Sequence, residues 1–103
     1  MVMIRAVERG GEYALSADGH ATGSEQACAA VSAVLYGLSG YLANGGAHAR
    51  LLEAPELESG RVRLRFTGDA AAGEVWRMTL ISLLQLQAAE PERVCIEWSG
   101  PGQ

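Results

Sequence analysis

Hydrophobic and polar residues alternate along several short stretches of the chain, and this alternation predicts β-strands. The clearest stretch is "RVRLRF", in which Val62, Leu64 and Phe66 point to one side and three arginines point to the other. A pair of glycines after the first stretch predicts a hairpin turn. The predicted strands cover 2–7, 13–20, 47–53, 61–66 and 94–98.

Two longer stretches have apolar residues at helical spacing and predict helices. The first begins at Ser24, a suitable N-cap, and ends at "NGG" (44–46). The second runs over 71–89, with Asp69 as its N-cap and Pro91 marking its end. Apolar residues occupy more than one face of the second helix, so we expect one face to be buried in a dimer interface.

The first predicted helix also carries a stripe of small residues. Small side chains allow another helix to approach closely, so we expect this face to contact a neighbour. The stripe consists of Ala29, Ala33, Gly37 and Gly40.

The predicted elements follow the order ββαββαβ, with a turn around "APELESG" (54–60) between the third and fourth strands. Because several strands alternate cleanly, we expect one face of the sheet to be covered and the other to be open. The pattern therefore predicts a single α+β domain over 1–103. In it, a mixed sheet has two helices packed on one face, and the domain is dimeric.

Composition argues against two classes of function. The chain has 103 residues, is 49% hydrophobic and carries a net charge of −4, with its eight basic residues scattered. Direct nucleic-acid binding is not expected, because phosphate contacts need clustered lysine and arginine. Residues 26–49 carry no charge, but their strongly apolar part is at the lower length limit for a membrane span. We expect a buried helix there and no membrane contact.

The chain contains two cysteines and two histidines. Their spacing matches neither a disulfide framework nor a zinc site, so we expect no metal and no cofactor. The first residues lack the apolar segment of a secretory signal. These features predict free thiols and a cytoplasmic location.

Cys28 and His20 are the candidate reactive residues. Cys28 falls in the first turn of the first predicted helix, where unpaired backbone N–H groups stabilise a thiolate. His20 ends the preceding strand, on its more polar face, and the short connection can bring imidazole and sulfur within hydrogen-bond reach. Ser32 lies one helical turn after Cys28 on the same side. The pattern also fits a cysteine that only packs as a small hydrophobic residue.

The remaining candidate residues carry weaker signals. Cys95 lies within a predicted strand with no histidine near it in sequence, and His48 lies at a loop edge, where we expect it to be solvated. The arginines of 61–66 are expected to form the solvent-facing side of the sheet. A contact patch for an acidic partner is the alternative.

The segment around Cys28 resembles the ribosomal-processing cysteine protease family called Prp. The resemblance rests on "GHA" (19–21), followed after a glycine-containing loop by "CAAVSAVLYG" (28–37). It extends more weakly to the opening strand and to "LISLLQLQAAEPERVCIEW" (80–98). The loop is shorter here than in the family pattern, and Glu25 stands where the family usually has an aspartate.

The resemblance implies a homodimeric, cytoplasmic, bacterial cysteine protease. Cys28 would be its nucleophile and His20 its general base, with Gly19, Glu25 and Ser32 in supporting positions. The implied substrate is the N-terminal extension of a large-subunit ribosomal protein, cut after a hydrophobic, aromatic-rich stretch.

Two other functions stay open at this point. A non-catalytic dimeric module of the same fold would bind a peptide through the loop or the open sheet. In the other, the Cys28 thiol would take part in redox or acyl-transfer chemistry.

Overall fold

The computed structural model describes residues 1–21, 23–44 and 46–100. The loop before the first helix includes Thr22 and the "NGG" stop includes Gly45, and both residues lie outside this described part. The described residues form six strands and two helices, one short strand more than predicted. The elements are β1 (Val2–Arg9), β2 (Glu12–Gly19), α1 (Glu25–Asn44), β3 (Ala49–Leu51), β4 (Glu56–Glu58), β5 (Arg61–Gly68), α2 (Ala70–Ala89) and β6 (Val94–Ser99).

The strands form one mixed sheet, as predicted. Its order is β3-β5-β2-β1-β6, and β4 also pairs with β5. Paired strands are antiparallel except for β1 and β6, which are parallel. Gly10 and Gly11 form the turn between β1 and β2, and both have the positive φ that this tight hairpin requires.

The two helices cover one face of the sheet, which confirms the predicted layering. On that face the alternate residues of the central strands are buried, among them Ile4, Leu15 and Leu64. The core therefore lies between the sheet and the helices.

Ion pairs line the opposite face. The Arg63 Nη2 atom lies 2.8 Å from the Asp18 carboxylate, and the Arg65 Nη2 atom lies 2.8 Å from that of Glu12. Arg61 is paired with Glu56 in the same way. Exposed pairs of this kind contribute about 1 kcal/mol or less each. The arginines form the solvent-facing side of the sheet, as expected, with their charges already compensated within it.

Asp69 caps α2, as predicted. Its Oδ1 atom accepts hydrogen bonds from the backbone N–H groups of Ala71 and Ala72 at 3.0 and 3.1 Å. The inner side of α2 is buried and includes Trp76 and Leu83. The cap thus fixes the start of a helix that supplies part of the core.

An aromatic cluster joins α2 to the sheet. The Trp76 ring centroid lies 5.1 Å from that of Tyr13 and 5.8 Å from that of Phe66, and the latter two rings stack at 4.8 Å. Burial raises the pKa of the Tyr13 phenol, and the nearby carboxylates of Glu8 and Asp69 add to the shift.

The outer side of α2 carries large apolar residues as well. Met78 and Ile81 are 67% and 49% exposed, so both side chains face solvent in the single chain. The predicted presence of apolar residues on two sides of this helix is confirmed.

The core side of α1 is formed mainly by valine and leucine, whereas the small-residue stripe lies on its outer side. All residues of the stripe are exposed in the single chain, so its contact with a neighbour stays a prediction. By length and composition α1 could also cross a membrane, but one of its sides belongs to the hydrophobic core. The buried residues of α1 are Ala27, Val31, Leu35, Leu38 and Leu42.

One edge of the sheet differs from the prediction. The strand expected over 47–53 is shorter, and "APELESG" contains β4 rather than only a turn. β3 and β4 run antiparallel to β5 along its same side, so together they form one interrupted edge strand. The interruption includes Pro55, which has no backbone N–H to donate.

Candidate active site

The amino end of α1 places Cys28. Ser24 is the N-cap, as predicted, and its Oγ atom accepts a hydrogen bond from the Ala27 backbone N–H at 3.0 Å. The Cys28 backbone N–H donates to the Ser24 carbonyl oxygen at 3.2 Å, which is the first turn of the helix. The capped turn fixes the position of the Cys28 backbone, from which the side chain extends.

Both backbone polar groups of Ala21 contact the Cys28 sulfur. The Ala21 N–H donates a hydrogen bond to Sγ at 3.2 Å, and the thiol donates to the Ala21 carbonyl oxygen at 3.7 Å. A thiol can use both contacts, whereas a thiolate uses the N–H donor. The Ala21 backbone can therefore form a hydrogen bond with the sulfur in both its protonated and its deprotonated form.

His20 follows β2 and lies on the helix-covered side of the sheet. The alternation of the sequence predicted His20 on the open face with Ser16 and Asp18, and this prediction is wrong. Gly19 has a φ of +95°, and this conformation ends the alternation. A Cβ atom at Gly19 would also overlap the Met1 carbonyl oxygen, so the glycine provides both the turn and the space.

Cys28 and His20 line one cavity of about 270 Å³. The cavity lies between the amino end of α1, the end of β2 and the turn that joins β4 to β5. Ser32 and Gly19 line it too, so four of the five predicted site residues share one space. Among the described residues, no hydrogen bond joins the Cys28 and His20 side chains, and the thiol is bonded to Ala21 instead.

One wall of the cavity is apolar. Leu35 and Val31 from α1 face it, and β4 contributes Leu57, which is 38% exposed. Tyr36, 61% exposed, stands at its border. This wall offers a place for an apolar side chain of a ligand next to the sulfur.

The supporting residues differ in their positions. Gly19 and Ser32 line the cavity, whereas Glu25 is exposed at the start of α1 and is not among the described residues of the cavity wall. There the Glu25 carboxylate interacts favourably with the positive end of the helix dipole.

Sequence reasoning missed Gly60. This residue has a φ of +74°, and a Cβ atom built on it would lie 2.6 Å from Nε2 of His20. Its carbonyl oxygen accepts a hydrogen bond from the Gly19 N–H at 2.9 Å. The glycine in "ESG" signals a turn in sequence, but its contact with His20 depends on the pairing of β2 with β5.

Of the other candidate residues, Arg61 also lines this cavity, whereas Cys95 and His48 do not. Cys95 is a free, partly buried cysteine in β6. His48 is exposed, as expected, but its Nδ1 atom lies 2.8 Å from the Asp69 carboxylate. This hydrogen bond is the main cause that lowers the pKa of Asp69. Among the described residues, no group of three or more His, Cys, Asp or Glu side chains is placed to hold a metal ion.

No protein-family model matches the chain, and no curated protein matches its sequence. Solved structures do match. One is the crystal structure of the essential ribosomal processing protease Prp from S. aureus in complex with a covalently linked product peptide. It superposes with a TM-score of 0.80 and 21% sequence identity, over 96% of this chain and 100% of that one. The chain has the Prp fold.

Two further structures agree with this fold. The same S. aureus protease in complex with a substrate peptide gives a TM-score of 0.71 at 17% identity, over 96% of this chain and 100% of that one. SMU.848 from Streptococcus mutans gives 0.73 at 19% identity, over 95% of this chain and 93% of that one. The α+β layering predicted from sequence is therefore confirmed as the Prp fold.

Proposed function

We propose that this chain is a cysteine endopeptidase in which Cys28 is the nucleophile and His20 the general base. One observation carries the proposal: the two side chains come from different elements and line the same cavity. The likeness to a protease solved with product and substrate peptides supports it. Ser32 and Gly19 line the same space, while Glu25 is assigned only to the start of α1.

The proposed reaction has two steps. In the first, His20 takes the Cys28 proton, the sulfur attacks the scissile carbonyl carbon, and the C–N bond breaks as His20 protonates the leaving amine. In the second, His20 takes a proton from water as the water oxygen attacks the thioester carbon. The C–S bond then breaks and His20 returns the proton to the sulfur, which leaves the carboxylic acid and the free thiol. No cofactor or metal is needed for this balance.

Backbone donors contribute to the proposed site. The Ala21 N–H stabilises negative charge on the sulfur before attack. The N–H groups of Ala27 and Cys28 are already bonded to Ser24, so the oxyanion needs other donors than these two.

For the substrate we propose the N-terminal extension of a large-subunit ribosomal protein, cut by a homodimer in the cytoplasm. The apolar wall formed by Val31, Leu35 and Leu57 supports a hydrophobic residue next to the cleaved bond. The test compares cells that carry the wild-type gene with cells that carry Cys28→Ala. Mass spectrometry of the ribosomal protein should find the mature N-terminus only in the former.

The catalytic proposal is tested by the alkylation rate of Cys28 as a function of pH, read by peptide mass spectrometry so that Cys95 serves as an internal control. An activated thiol reacts well below about pH 8.5, where an ordinary thiol ionises. We expect His20→Ala to slow Cys28 and leave Cys95 unchanged, while His48→Ala changes neither. If Cys28 reacts like an ordinary thiol and its alkylation rate does not depend on His20, the protease proposal is overturned and the peptide-binding module is favoured.

A further inference from the structure

We infer that Gly60 is a positioning residue for the His20 imidazole. The inference rests on the proposed function, because it assigns a role in holding the proposed base. Gly60 lies in the turn between β4 and β5 and lines the same cavity as His20.

The His20 ring lies against the backbone of Gly60. A Cβ atom at Gly60 would lie 2.6 Å from Nε2, 3.0 Å from Cε1 and 3.3 Å from Cδ2 of His20. Three ring atoms thus lie where any other residue would place its side chain. The imidazole occupies the space that glycine leaves.

A backbone hydrogen bond also connects the Gly60 turn to the segment that carries His20. The Gly19 N–H donates to the Gly60 carbonyl oxygen at 2.9 Å, directly before His20. In the adjoining ladder Asp18 pairs with Arg61, and Arg61 pairs with Glu58 of β4. The turn is therefore held on both sides, and its position relative to the imidazole is set by the sheet.

The turn between β4 and β5 also borders the cavity. Leu57, Ser59 and Gly60 all line it beside His20. If a side chain at position 60 displaced the imidazole, the ring would have to move elsewhere in the cavity that holds the sulfur, or leave that cavity. The position of the base thus depends on the absence of a side chain at Gly60.

The test separates this contact from backbone strain. Gly60 has a φ of +74°, which asparagine tolerates better than alanine, but both residues carry a Cβ atom. We expect Gly60→Ala and Gly60→Asn each to slow alkylation of Cys28 at about pH 7 roughly tenfold, part of what a positioned base contributes. The matched control is Gly10→Ala, at a φ of +58° with nothing within 4 Å of its Cβ, which should leave the rate unchanged.

Thermal unfolding gives an independent readout. Gly60→Asn should lower Tm more in the wild-type background than in His20→Ala, because removing the ring removes the overlap. Gly10→Ala should lower Tm equally in both. The role of Gly60 is overturned if Cys28 alkylation is slow in His20→Ala but as fast in Gly60→Asn as in wild type. It is also overturned if Gly60→Asn lowers Tm equally in the wild-type and His20→Ala backgrounds. If His20→Ala alkylates like wild type, the proposed function fails instead.

Discussion

The backbone N–H of Ala21 lies 3.2 Å from the Cys28 sulfur and donates a hydrogen bond to it. Since Ala21 directly follows His20, the thiol is tied to the residue next to the proposed base. The hydrogen bond from Ala21 to Cys28 therefore joins the two ends of the segment that connects His20 to Cys28. This closure keeps imidazole and sulfur at one cavity even though they share no hydrogen bond.

Removing the sulfur should therefore affect stability as well as activity. In Cys28→Ala the buried Ala21 N–H loses its acceptor, and we expect the free energy of unfolding to fall by about 1–3 kcal/mol. Cys28→Ser keeps an acceptor in the same position and should retain more of the stability while being inactive. Denaturant unfolding measures both variants, and equal losses would show that the contact does not stabilise the fold.

Gly19→Ala should disrupt the position of His20. Alanine at a φ of +95° costs about 1–3 kcal/mol, and its Cβ would also overlap the Met1 carbonyl oxygen. We expect a lower Tm and slower alkylation of Cys28. Gly10→Ala carries comparable backbone strain without a steric contact, so its Tm should fall less and its alkylation rate should not change.

The pH dependence of stability should include a contribution from Asp69. The hydrogen bond with His48, followed by that from the Ala72 backbone, lowers the Asp69 pKa from its usual value of 3.8. A carboxyl group whose pKa is lowered by folding stabilises the folded state above its unfolded pKa. That contribution is lost as the pH falls below about 4 and through the folded pKa.

Asp69→Asn tests this contribution, because asparagine also caps helices well. Plotted as Tm against pH, the variant should show a shallower decline at acid pH than wild type. An unchanged slope would show that Asp69 does not contribute to the acid sensitivity.

If the chain forms the proposed homodimer, we expect the interface to use the outer side of α2. Ile81 is 49% exposed in the single chain, so Ile81→Asp should leave the fold intact and convert a dimer into monomers. Sedimentation measures the mass and circular dichroism the fold. Ala33→Asp places the same charge on the exposed side of α1 and serves as the control. Dissociation by Ala33→Asp alone would move the interface to α1.

Most of the fold could be predicted because its main elements carry strong periodicity. The alternation of Val62, Leu64 and Phe66, and the caps at Ser24 and Asp69, are local signals that the structure keeps. The strand β4 has no such signal, since three residues are too few to show a period. Its strand geometry comes from pairing with β5.

The site was predictable in its local parts only. Cys28 and His20 could be proposed because a cap and a strand end lie close together in sequence. The side on which His20 lies depends on the φ of Gly19, and its contact with Gly60 depends on the register of β2 against β5. The neighbour expected at the small-residue stripe stays a prediction, because small size permits a close contact but does not by itself create one.

The break between β3 and β4 has a consequence for how molecules of this chain meet one another. An uninterrupted border of the sheet would present a row of free amide and carbonyl groups on which a strand from another molecule could assemble. Here Pro55 supplies no donor, and Glu58 puts negative charge beside it. This border is therefore a poor template for intermolecular β-sheet growth.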